Sequence, residues 1–140
     1  IGALSSSQRE ALDKNDIQFE NCAGLSREDL LDQYHRCDIL VFASTYEGFG
    51  LPIVEANAVG RPVVTSNVLS MPEVAGNAAC LVDPFSVASI RDGICRIIES
   101  REYRDKLVMN GFQNAERFHA EVLATKYAEL YKDLCQKAAN

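Results

Sequence analysis

The chain has 140 residues, of which 47% are hydrophobic and 24% charged, and a formal net charge of −6. That is one domain's worth of chain, able to bury roughly two-thirds of the surface its unfolded form exposes. The acidic balance excludes nucleic-acid binding carried by bulk charge. No apolar stretch approaches the roughly 20 residues of a membrane span, and no leader with a basic and then an apolar region is visible.

The opening Ile1-Gly2-Ala3-Leu4 carries no initiator methionine. Ile1-Gly2 reads as the tail of a strand, so the chain is expected to be a piece of a longer protein whose missing part precedes it. Ser5 to Asn15 reads as a helix capped by Ser6 or Ser7, with a weak apolar stripe of Ala11 and Leu12. Asp16-Ile17-Gln18-Phe19 alternates and predicts a short strand. Ser26 is a natural N-cap for a second helix, with Glu28 and Asp29 in its first turn favourable to the helix dipole. Leu30, Leu31, Tyr34 and Cys37 recur at helical spacing and are expected to face the core.

Ile39 to Ala43 is a continuous apolar run, as expected of a strand buried on both faces. A turn and a helix follow, ending near Gly60, and Pro62 opens the strand Val63-Val64-Thr65. Pro72 to Gly76 reads as one helical turn, Ala79 to Val82 as a strand closed by Asp83-Pro84. From Ser86 onward only helices are predicted. The first runs to Glu99, with Val87, Ile90, Ile94, Ile97 and Ile98 on one side. The second is capped by Ser100 and carries Tyr103, Leu107, Val108, Ala115 and Phe118. The third, Ala120 to Lys137, has a stripe of Leu123, Tyr127, Leu130, Tyr131 and Leu134. Gly111 inside the second costs about 1 kcal/mol against alanine, which a close helix–sheet contact would explain. The alternation of strand and helix implies a Rossmann-like three-layer α/β/α domain with a mainly parallel sheet, followed by C-terminal helices.

Five cysteines, Cys22, Cys37, Cys80, Cys95 and Cys135, include no C-x-x-C pair. Their odd number and apolar surroundings read as reduced core thiols of a cytosolic protein. His35 and His119 are far apart in sequence and lack acids at ligand spacing, so no metal site is expected.

The chemistry concentrates in Glu47-Gly48-Phe49-Gly50-Leu51-Pro52 and Glu55. This stretch lies where the Ile39–Ala43 strand ends, the edge at which parallel α/β sheets bind ligands. Gly48 and Gly50 permit tight or left-handed backbone, and Pro52 suits the first turn of a helix. The N–H groups of Phe49, Gly50 and Leu51 would then point into the cleft and, with the helix dipole, form an anion site matched to a diphosphate. Glu47, and Glu55 in about the first helical turn, could each grip a diol. The plainer alternative is a simple turn with Glu55 serving the dipole, at roughly 0.3–1 kcal/mol, and the G-x-G-x-x-G fingerprint is absent.

Ser44 to Ala56, then Gly60-Arg61-Pro62-Val63-Val64, Met71-Pro72-Glu73-Val74 and Leu81-Val82-Asp83-Pro84, resemble in register the C-terminal, nucleotide-sugar-binding domain of family 4 glycosyltransferases, retaining enzymes of the GT-B architecture. The resemblance runs from about Leu25 to Pro84, with a looser helical match to about Leu134. It implies that Glu47 contacts donor-sugar hydroxyls near the anomeric centre as a charge-stabilising group, and that Glu55 holds the nucleotide's ribose. Backbone at Gly48, Phe49, Gly50 and Leu51 would serve the diphosphate and sugar. It further implies a nucleotide-sugar donor as substrate, a glycan or lipid-linked acceptor, no cofactor and no metal. The location would be cytoplasmic, peripheral to the inner membrane face through a missing N-terminal acceptor domain.

The family's diphosphate-binding Arg and Lys would precede this chain. Arg9, Lys14, Arg27 and Arg61 stand outside the matching context, and Arg36 and Arg61 read as solvated. Asn57 in place of a common Met reads as neutral. Phe118-His119 replaces a commoner Ser-Trp pair, and His119 reads as a surface or interdomain residue. The fragment alone is expected to be inactive. Two other readings stay open: a nucleotide-sugar 2-epimerase, which the E-x7-E and G-x-P-V-V blocks disfavour, and a non-catalytic nucleotide-sugar-binding module, which the two intact acids disfavour.

Overall fold

A computed structural model describes residues 2–138. The reading of Ile1-Gly2 as a strand end rests on Ile1, outside the described residues. The chain divides into two compact units, Ile1–Gln33 and Tyr34–Asn140.

In the first unit, helix α1 (Ser6–Lys14) is capped by Ser5 rather than Ser6 or Ser7. The Ser5 hydroxyl accepts from the Gln8 N–H at 3.2 Å, and Gln8 Oε1 accepts the Ser5 N–H at 2.8 Å. This reciprocal box satisfies two donors, which a cap one residue later would forgo. Residues 16–19 do not form the expected strand. Among the described residues no ladder partner exists for them, and Ile17 and Phe19 are exposed. Helix α2 (Arg27–Arg36) starts at Ser26 as expected: its hydroxyl accepts the Asp29 N–H at 3.1 Å, and Asp29 Oδ2 accepts the Ser26 N–H at 3.3 Å. Of its apolar stripe, Tyr34 is buried whereas Leu31 is exposed.

The second unit is built on a parallel sheet of β1 (Leu40–Phe42), β2 (Val63–Ser66) and β3 (Ala79–Val82), in that order. Leu40 pairs with Val63, and Val63 with Ala79. Helices α3 (Leu51–Ala58) and α4 (Met71–Ala75) make the crossovers that parallel strands require. Every residue of β2 is buried. The expectation of full burial fails at β1, where Val41 is 45% exposed. In this sheet β1 is an edge strand, and helix α5 (Val87–Glu99) packs on β2 and β3 instead.

One core cluster gathers Val64, Cys80 and Val82 with Ile97 and Leu107, and Ile39, Ala43, Ile90, Ile94 and Tyr103 close its margin. Strand alternation sends Val63 and Thr65 to the other face. Burial first, and then a hydrogen bond with Cys80, push the Tyr103 phenol up to about 12. Ile97 is fully buried but its neighbour Ile98, about 100° further round the helix, falls outside the buried stripe and is exposed. Val87, in the first turn, is also exposed.

Helix α6 (Arg101–Glu116) begins at Ser100, whose hydroxyl accepts the Tyr103 N–H. Gly111 meets Asn57 of α3, not the sheet: a Cβ there would lie 3.1 Å from Asn57 Nδ2 and 3.4 Å from its Cα. The close helix–sheet contact falls at Gly93 of α5, where a Cβ would lie 2.6 Å from Val82 Cγ1. Helix α7 (Ala120–Ala138) carries the predicted stripe, but Leu123, Tyr127, Leu130, Tyr131 and Leu134 are exposed. The cysteines are free, and of the five only Cys80 is buried; Cys135 is exposed. Among the described residues no helix is long and apolar enough to cross a membrane.

Gly93→Ala is expected to destabilise the fold by about 1–3 kcal/mol through overpacking, outweighing alanine's helical advantage of about 1 kcal/mol. Urea unfolding reads this directly, and an unchanged midpoint would show that the α5–sheet contact is looser than described.

Candidate functional site

The loop from Ser44 to Gly50 joins β1 to α3 at the C-terminal end of the sheet. Side chains of β2 hold the end of β1 and the start of this loop. Thr65 Oγ1 donates to Phe42 O at 3.0 Å, and the Ser66 hydroxyl donates to Ser44 O. Ser70 Oγ then donates to Glu47 O at 3.0 Å. The backbone leading into Glu47 and the Glu47 carbonyl itself are thus fixed, while the Glu47 side chain has no partner among the described residues and is half-buried.

Gly50 is the N-cap of α3, at φ 97° and ψ 46°, and is buried. This left-handed geometry requires glycine, and a Cβ here would also lie 3.1 Å from Ile53 Cδ1. Gly48 lies in a bend without left-handed geometry. Its φ is not positive, and a Cβ there would meet nothing within 4 Å. Pro52 lies in the first turn as expected. The N–H groups of Phe49, Gly50 and Leu51 find no acceptor among the described residues, as at any uncapped helix start.

Glu55 is the fifth residue of α3, so it sits in the second turn rather than the first. It lies about 6 Å along the axis from Leu51, beyond the strongest reach of the dipole. Its position has another consequence: the Tyr34 hydroxyl donates to Glu55 Oε2 at 2.8 Å. Burial first, and then this bond to the Glu55 carboxylate, push the Tyr34 phenol well above the usual tyrosine range. Helical spacing places Tyr34 only in the core stripe. A signal for more exists in the residue type, since a buried tyrosine hydroxyl needs a polar partner. Glu47 and Glu55 are not bonded to a common group among the described residues.

Phe49 is anchored from the other end of the domain. Its ring meets that of Phe118 edge to face, with centroids 5.5 Å apart. Phe118 follows α6 directly, and the Arg117 guanidinium stands 5.1 Å over its ring. His119 is exposed, between α6 and α7, with Nε2 3.6 Å from Glu116 Oε1 at the end of α6.

Asn57 is not neutral. It is fully buried in α3, where Nδ2 donates to Ala78 O at 3.4 Å and Oδ1 accepts Asn114 Nδ2 at 2.9 Å. Asn114 Nδ2 also donates to Val74 O, while its Oδ1 accepts Arg117 Nη1 at 2.7 Å. Arg61 is not solvated either. Its Nη2 donates to His35 O at 2.9 Å, and its Nε is buried without a partner. Burial raises the Cys37 thiol, and the Arg61 charge partly opposes this.

A three-layer α/β fold with a glycine-capped helix at the sheet's C-terminal edge defines one Rossmann-like half of a GT-B glycosyltransferase. Residues 8–114 match the family model of glycosyl transferases group 1, and the chain belongs to that family. Escherichia coli O-antigen chain mannosyltransferase B is 40% identical over 105 residues, which cover 75% of this chain and 28% of that enzyme. Sucrose-phosphate synthase from Thermosynechococcus elongatus has a similar structure, with a TM-score of 0.76 at 26% identity over 94% of this chain and 34% of that one. The C-terminal domain of the group 1 glycosyl transferase LpcC from Francisella tularensis gives 0.67 at 28% identity, over 81% of this chain and 60% of that one. The chain thus spans less than a third of the mannosyltransferase it matches.

Asn114→Ala strands Asn57 Oδ1 and Val74 O in the interior, with an expected loss of roughly 2–4 kcal/mol. Thermal or chemical unfolding measures it; a loss below about 0.5 kcal/mol would mean that water replaces the amide.

Proposed function

We propose that this domain binds the donor of a retaining glycosyltransferase, which moves a sugar from a nucleotide sugar to a sugar or lipid-linked acceptor. The observation that carries the reading is the set of unpartnered N–H groups at Phe49, Gly50 and Leu51, flanked by Glu47 and Glu55. Such a helix start favours a diphosphate. The E. coli relative, by its name, transfers mannose, which supports a hexosyl group in this class.

In the proposed reaction the bond from the sugar's anomeric carbon to the diphosphate oxygen breaks. A bond from an acceptor hydroxyl oxygen forms on the same face, and the acceptor's proton ends on the departing diphosphate. Two things develop charge: the anomeric carbon becomes cationic and the diphosphate gains a negative charge. Glu47 stabilises the first as a carboxylate held beside it, without bonding to it, and the helix start stabilises the second. Glu55 binds the ribose. Acceptor recognition and the remaining diphosphate contacts come from the rest of the full-length protein, so the domain alone binds nucleotide weakly and does not turn over.

In the full-length protein Glu47→Ala is expected to lower turnover by about 10²–10³, the range for losing one preorganised electrostatic group. Glu55→Ala is expected to weaken nucleotide affinity by about tenfold, one charge-assisted hydrogen bond. Steady-state transfer assays and calorimetry with nucleoside diphosphates check both, and normal turnover by Glu47→Gln and Glu55→Gln would sink the assignment. Chelation with EDTA is expected to leave turnover unchanged; a loss restored by Mg²⁺ would contradict the metal-independent reading.

A further inference from the structure

Glu55 is held by one contact. Its Oε2 accepts the Tyr34 hydroxyl at 2.8 Å, and no other hydrogen-bond partner of this carboxylate exists among the described residues. Tyr34 itself is 6% exposed, so its ring cannot swing away without opening the core. Its backbone carbonyl is further engaged, accepting the Cys37 thiol at 3.4 Å. A glutamate on a helix otherwise samples several rotamers, and a single anchored oxygen removes most of that freedom.

The chemistry of the pair is directional. An ionised carboxylate only accepts hydrogen bonds, and the phenol has one proton to give. Once Oε2 takes that proton, Oε1 keeps its lone pairs for an incoming donor. We infer that Tyr34 is a positioning residue that fixes Glu55 so that Oε1 accepts hydroxyls of a nucleotide's vicinal diol, making discrimination for a ribose depend on both residues. This rests on the proposed donor-binding role of Glu55. The phenol keeps its proton at neutral pH, because burial and the neighbouring carboxylate hold its ionisation above the usual tyrosine range. The arrangement also sets a limit on ligands: an acceptor-only carboxylate pinned in this way rejects an anionic group at the same place.

A purely structural role for the pair makes a different forecast from a positioning role. Loss of a packing contact would weaken every nucleotide alike. Loss of an aimed carboxylate oxygen would weaken only those with hydroxyls to offer. The test uses the full-length protein and calorimetry with UDP, GDP and ADP, each against its 2′,3′-dideoxy counterpart. For whichever base binds, the wild type is expected to prefer the ribose form about tenfold, the worth of one charge-assisted hydrogen bond. In Tyr34→Phe, which keeps the ring and removes only the hydroxyl, the preference is expected to shrink to about twofold while dideoxy binding is unchanged. Glu55→Ala removes the preference, and adding Tyr34→Phe to it changes nothing more.

Equal weakening of both forms in Tyr34→Phe, an undiminished preference, or failure of that variant to fold would each overturn the positioning role. A different result would fall on the underlying reading instead. If Glu55→Ala retains the ribose preference, or the wild type has none, then Glu55 is not the ribose acid.

Discussion

The packing of α3 against α6 is the contact on which the rest of the domain depends. Asn57, fully buried, faces Gly111, whose missing side chain lets the two helices approach. A buried amide is costly unless its hydrogen-bonding groups are matched. Asn114 matches it from α6, and Ala78 O from the turn before β3. Asn114 then reaches Val74 O, while Arg117 caps its oxygen and extends a weaker contact to Glu73 O. A single polar chain thereby joins α3, α4 and the end of α6. Because each of these hydrogen bonds is directional, the chain also fixes the rotation of α3 about its axis. That rotation matters because α3 carries Glu55 on its flank and the glycine turn at its start.

The site is consequently held from three directions. Hydroxyls of Thr65, Ser66 and Ser70 fix carbonyls at the end of β1 and in the loop that carries Glu47. The Phe49 and Phe118 rings tie the turn to the segment after α6. Tyr34 ties Glu55 to the end of α2. Preorganisation of this kind is what electrostatic catalysis requires, since charges that must first be aimed lose most of their effect. Besides the N–H groups at the start of α3, the Glu47 carboxylate has no internal partner among the described residues, and it stands where the proposed reaction develops positive charge.

Much of this is legible in the residues. The parallel β–α alternation, the glycine turn at a strand end, Pro52 in the first helical turn and the caps at Ser26 and Ser100 are local matters, written in turn chemistry and periodicity. The failures have a common cause. Asp16 to Phe19 alternates like a strand, but a strand exists only where a neighbour pairs with it. Leu31, Val87 and Ile98 are apolar, yet a helix has one buried face and they fall off it. Gly111 and Gly93 are indistinguishable as small residues in helices; only the partner across the contact separates helix packing from sheet packing. The roles of Asn57, Tyr34 and Phe118 are hidden for the same reason, because each acts through a residue 21, 57 or 69 positions away. Arg61 likewise reads as a surface cation until His35 O is placed beside it.

The central claim is that the start of α3 and its flanking acids receive the nucleotide. Amide hydrogen exchange of the full-length protein, with and without a saturating nucleoside diphosphate, tests it most directly. The expected result is strong protection at the N–H groups of Phe49, Gly50 and Leu51, with lesser slowing around Tyr34 and Glu55. Unchanged exchange over residues 47–55 in a protein that demonstrably binds the nucleotide would contradict it.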